Sequence, residues 1–130
     1  MKRTILMTGT YFGLLAVVLG AFGAHTLGTL VDATSVNTFD TGVRYQMYHA
    51  LFLLFLGSTS QFSDASKKWI FYFITAGVVL FSGSIYVLAT NSLTAFNFKS
   101  IGFVTPIGGS LLILGWILLL HRCYRAFLDT

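Results

Sequence analysis

Apolar residues fall into four long runs, and the short stretches between them hold most of the charge. As a helix, each run of about 20 residues is long enough to cross roughly 30 Å of hydrocarbon. The pattern predicts helices over about 4–27, 35–61, 67–91 and 105–121. The second start lies earlier than hydropathy alone would put it. Val36, Phe39, Val43 and Met47 recur at helical spacing there, so its first turns are amphipathic. Asp40 and Arg44 stand four apart on those turns and can pair. Thr105 is a candidate cap for the fourth helix, with Pro106 at its first position.

Met1-Lys2-Arg3 before an apolar run has the look of a signal peptide. The length of that run, and three similar runs after it, favour a membrane span. Composition agrees with this reading. Charged residues make up 9% of the 130, against about 25% in soluble domains. Too few polar side chains exist to cover a water-facing surface, so the surface must face lipid. The expected architecture is a single all-α domain, a four-helix transmembrane bundle.

Charge then orients the bundle. With four crossings, the N-terminus, the middle turn and the C-terminus share one side. Lys2, Arg3, Lys67, Lys68, Arg122 and Arg125 gather there, leaving Arg44 and Lys99 opposite. The positive-inside bias predicts both termini on the cytoplasmic side of a bacterial inner membrane. The net charge of +4 is spread over segment ends. No basic stripe interleaved with aromatics exists, which excludes nucleic acid as a partner. The single Cys123 cannot form an internal disulfide.

Small residues predict where helices approach closely. Gly9, Gly13, Gly20 and Gly23 mark the first helix, Gly77 and Gly83 the third, and Gly108, Gly109 and Gly115 the fourth.

One polar stretch stands out: Arg44, Tyr45, Gln46, Tyr48 and His49, at the mouth of the second apolar run. Ionisable groups near a lipid core are costly and mark candidate sites. On a helical wheel Tyr45, Tyr48, His49 and Phe52 share a face. Met47, Ala50, Leu51 and Leu54 lie opposite and suit lipid. His25, at the far end of the first helix, joins the same outer level. The plain reading is that these groups satisfy one another and lock the bundle. The sharper one is a pocket for a lipid, a quinone or a small anion, with Arg44 holding the charged end. Two histidines on separate helices also raise haem. Lone histidines are more often packing residues, and no third ligand completes a zinc site. Ser82 and Ser84 lack an oxyanion-hole motif, which argues against a hydrolase. No carboxylate lies inside a span, which argues against ion-coupled transport but leaves a passive oligomeric pore open.

Four stretches, one in each run, carry a resemblance. They are Gly20-Ala21-Phe22-Gly23-Ala24-His25, then Tyr45-Gln46-Met47-Tyr48-His49-Ala50, and Phe81-Ser82-Gly83-Ser84-Ile85-Tyr86 with Thr105-Pro106-Ile107-Gly108-Gly109. Through them the chain resembles the YgdD-like family of small, uncharacterised bacterial inner-membrane proteins, a domain-of-unknown-function family similar to a small mitochondrial transmembrane protein of animals. The resemblance implies a four-helix membrane protein and no activity. The expected role is therefore a non-enzymatic accessory or structural membrane protein. Lipids are its surroundings, and its own copies or a larger complex are its candidate partners. No cofactor is called for.

Overall fold

The computed structural model describes residues 1–130. Four helices carry the fold: α1 (Lys2–His25), α2 (Ala33–Ser58), α3 (Asp64–Ala89) and α4 (Val104–Leu128). Short 3₁₀ turns, Leu27–Thr29, Asn91–Leu93 and Phe98–Ile101, fill two of the connections. There are no strands. α1, α3 and α4, two of them counted with a flanking 3₁₀ turn, are long and apolar enough to cross a membrane. α2 is equally long but begins with Thr34, Ser35, Asn37, Thr38, Asp40 and Thr41.

Local chemistry sets the boundaries. Asp32 caps α2, its carboxylate accepting from the Ser35 N–H at 2.8 Å. That backbone bond holds the Asp32 carboxyl below its ordinary range. Ser63 caps α3 by accepting from the Ser66 N–H. The cap starts α3 at Asp64, three residues ahead of the expected 67, and α2 already ends at Ser58. α4 runs on to Leu128, well past the expected 121. Nothing in His121-Arg122-Cys123-Tyr124-Arg125 breaks a helix, and cations suit a helix C-terminus. α4 starts at Val104 without a side-chain cap. Thr105 therefore lies inside the first turn, and its hydroxyl is 2.6 Å from Ser84 Oγ rather than on α4's own backbone.

The helices stack in chain order: α1 on α2, α2 on α3, α3 on α4. Adjacent helices are antiparallel. Gly9 lies against Ala50 and Leu53, and Gly23 against Phe39. Gly77 lies against Leu112, and Gly108 against Leu80 and Phe81. α2 is thereby covered by protein on two sides, which explains why it needs less apolar surface than its neighbours. The main core joins Ile5, Phe12, Leu53, Ile74 and Leu112 with others along the bundle; a smaller cluster of Leu27, Phe39 and Ala89 closes the far end.

The α2–α3 turn shares its end of the bundle with both chain ends. Lys67 is buried there, and its ammonium donates to the Thr59 carbonyl at the C-terminus of α2. The negative end of that helix dipole offsets part of the burial of the charge.

A three-helix polar seam as candidate functional site

The seam starts with a missing side chain. At Gly42, an added Cβ would lie 2.8 Å from Tyr86 Cε1 and 2.9 Å from Ile85. Its absence lets the Tyr86 ring lie flat on α2. The Tyr86 hydroxyl then reaches Gln46, one turn further on, and donates to its Oε1 at 2.6 Å. Gln46 Nε2 donates to the Phe12 carbonyl on α1 at 2.8 Å. One buried amide thus ties α1, α2 and α3 together. Ser82 adds a second tie, its hydroxyl donating to the Gly42 carbonyl at 2.8 Å. In hydrocarbon an unpaired polar group costs several kcal/mol, so these side chains are held where their partners are.

His49 sits one turn along α2, nearer α4. The Trp116 indole N–H donates to its Nε2 at 3.0 Å, and its Nδ1 lies 2.6 Å from the Tyr45 carbonyl. An indole can only donate and a carbonyl can only accept. The imidazole is therefore neutral, with its proton on Nδ1 and both ring nitrogens occupied. Phe52 packs on the Trp116 ring at 4.7 Å between centroids, edge to face.

The structure divides the six residues singled out in the sequence. Gln46 and His49 are buried, 4% and 3% exposed. Tyr45 and Tyr48 lie on the surface, with the Tyr45 ring against Phe81 at 4.9 Å. Arg44 is exposed and pairs with Asp40 at 2.6 Å, as their spacing allowed. His25 is exposed at the end of α1. Gly23 stands opposite Phe39, so His25 is level with residues near 37, roughly 18 Å along the bundle from His49. That separation is too great for one iron to take both as axial ligands. No group of three or more His, Cys, Asp or Glu side chains comes together to hold a metal.

The wheel misplaces three residues: Tyr45 and Tyr48, on the face expected to turn inward, are exposed, and Ala50, on the face expected to meet lipid, is not. Ala50 is fully buried against Gly9 and Gly13, because α2 buries a face toward α1 as well as one toward α3. Among the glycines, Gly83 has open space where a Cβ would be, while Gly42 and Gly57, absent from the sequence reading, meet neighbours at 2.8 Å. Tyr86, which the sequence shows within a stretch carrying the resemblance, is a hydrogen-bond donor within the seam. Trp116 also escaped notice. Its position in the middle of an apolar run was the available signal, since an indole N–H there needs a partner.

On the flank of the seam, a groove of about 260 Å³ opens between α1 and α3. Tyr11, Leu15, Val79 and Gly83 wall it, and Gln46 and Ser82 lie at its base.

These features define a class: a small, multi-pass helical membrane protein whose buried polar side chains bond one helix to the next. The sequence of a family described as "Protein of unknown function (DUF423)" matches residues 19–109. A UPF0382 membrane protein of Staphylococcus saprophyticus is 36% identical over 123 residues, 95% of this chain and 98% of that one. The UPF0382 inner membrane protein YgdD of Escherichia coli K12 is 37% identical over 127 residues, 95% of this chain and 92% of that one. A UPF0382 membrane protein of Haemophilus influenzae is 32% identical over 126 residues, 97% and 98% of the two chains. The chain belongs to this UPF0382 (DUF423) family of membrane proteins, to which no activity is assigned. No solved structure matches it.

Proposed function

We propose that this protein is a non-enzymatic accessory or structural component of the bacterial inner membrane, with both termini cytoplasmic. One observation carries the reading: Gln46 and His49, the two buried polar residues of the α2 stretch, are both occupied by partners within the chain. A general base needs a free ring nitrogen near the proton it takes, and His49 has none. An anion site at this stretch needs a free cation, and Arg44 is paired with Asp40. What remains is a packed bundle whose outer faces meet lipid, further copies of itself or a larger membrane complex. Native mass spectrometry from a gentle detergent tests this. The expected species are the bare chain, its oligomers, protein partners and lipid adducts. A tightly held non-lipid small molecule at one per chain would overturn it. The orientation rests on Lys2, Arg3, Lys68, Arg122 and Arg125 at one end. The single exposed Cys123 lies at that end and reports on it directly. A membrane-impermeant maleimide should leave it unlabelled in intact spheroplasts and label it after permeabilisation.

A second reading is favoured by the groove above Gln46. Its walls are apolar, and the Gln46 amide keeps one N–H beyond the bond to Phe12. A lipid-soluble molecule with a ring carbonyl, such as a quinone, would suit that combination. A quinone mass in the same spectra would favour this reading over the first.

A further inference from the structure

A different groove, of about 220 Å³, lies between α3 and α4 on the face away from the seam. Trp69, Tyr72, Phe73, Ala76 and Leu111 line it, so its wall is entirely apolar and aromatic. It runs along α3 from Trp69 to Ala76, about 10 Å of helix. The small side chain of Ala76 leaves the slot open at its deep end. At its shallow end stands Lys68, whose ammonium lies over the Tyr72 ring, 6.0 Å from the centroid. Lys68 has no acidic partner; the chain's one ion pair is Arg44 with Asp40. The Trp69 indole N–H and the Tyr72 hydroxyl make no hydrogen bond within the protein, and both side chains are exposed. The register of α3 on α4, Gly77 against Leu112 and Ile74 against Gly115, sets the exposed His121 and Arg122 level with Lys67 and Lys68.

An occupant must then be anionic at one end and aliphatic at the other. We propose that this groove is a binding site for one anionic phospholipid, from the leaflet beside the α2–α3 turn. Its phosphate lies against Lys68, with the Trp69 indole and Tyr72 hydroxyl as further donors. Its acyl chain follows Phe73, Ala76 and Leu111 toward the membrane centre. Trp and Tyr at this depth belong to the headgroup region, where their polar tips meet lipid oxygens. The charge on Lys68 selects the headgroup, and the apolar slot holds the tail. These are separable contributions, and each can be removed alone.

The test is native mass spectrometry of the full chain, released from micelles holding equal amounts of phosphatidylglycerol and phosphatidylcholine. The wild type should retain the anionic lipid over the zwitterionic one by roughly fivefold, the preference that one cation near the surface contributes. Lys68→Gln should bring the ratio close to one. Ala76→Leu fills the slot on an exposed helix face that tolerates leucine, and should weaken retention of both lipids. A Lys2→Gln, Arg3→Gln double variant should keep the wild-type preference. Equal retention by the wild type would overturn the proposal. So would an anionic preference that survives Lys68→Gln, lipid retention unchanged by a folded Ala76→Leu, or a preference that disappears in the Lys2, Arg3 variant. Circular dichroism of each variant shows whether it is folded. Should Ala76→Leu fail to fold, Lys68→Gln alone decides the outcome.

Discussion

Two seams hold this bundle together by different means. Along α2–α3 side-chain hydrogen bonds join the helices, Ser82 donating to the Gly42 carbonyl and Tyr86 to Gln46. Along α3–α4 little lies between. A Cβ placed on Gly108 would fall 2.3 Å from the Phe81 amide nitrogen, closer than any real contact. Gly77 and Gly115 continue that line of approach against Leu112 and Ile74. Lipid tails are as apolar as leucine, so burying leucine against leucine drives little association in a bilayer. Backbone contact through glycine and hydrogen bonding through polar side chains are the two remedies. This chain leans on the first along α3–α4, where Ser84 and Thr105 add one hydrogen bond, and on the second along α2–α3, where Gly42 supplies the close approach.

That contrast predicts a hierarchy of substitutions, each read by reversible unfolding in mixed micelles. The largest effect belongs to Gly108→Val. Phe81 contributes backbone at the contact, which cannot swing aside, so α4 must move away from α3 at a cost of about 3 kcal/mol or more. Unchanged stability would mean the two helices are not so close. Next comes Gln46→Leu, which removes both bonds of the three-helix tie and leaves the Tyr86 hydroxyl without its acceptor. The expected loss is about 1–3 kcal/mol. Ser82→Ala removes a single bond and should cost about 0.6 kcal/mol, near the average for such bonds in a membrane protein. The smallest effect has the opposite sign. Gly83→Ala meets open space, one turn from glycine-dependent packing, and alanine suits a helix better than glycine by about 0.5–1 kcal/mol. Equal penalties at Gly83 and Gly108 would show that glycine matters here for flexibility rather than for approach.

The same contrast shows what could be read from the chain alone. The four runs, their order and the membrane setting were legible because hydropathy and helix length are local properties. The pairing of Asp40 with Arg44 was legible for the same reason, being a matter of spacing on one helix. The stretch around Gln46 and His49 also stood out, since polar residues in apolar runs are rare. Its partners were less visible. Tyr86 lies 40 residues from Gln46, and Trp116 lies 67 from His49. No local pattern encodes a contact across helices. The wheel could sort α2 into faces but could not say that two of them are covered, so Ala50 was given to lipid.

The sequence by itself determined that this chain makes four membrane-length helices, where they begin and end to within a few residues except at the C-terminus of α4, and which side chains are too polar for lipid. Only the tertiary structure decided that α2 lies between α1 and α3, that Gly108 rather than Gly83 carries a close crossing, and that His49 answers Trp116 rather than His25. The physical reason is one of range. Helix formation and partition from water depend on neighbours within a turn or two, whereas hydrogen bonds between helices and the fit of a bare backbone against a facing helix depend on register, which exists only after the helices have packed.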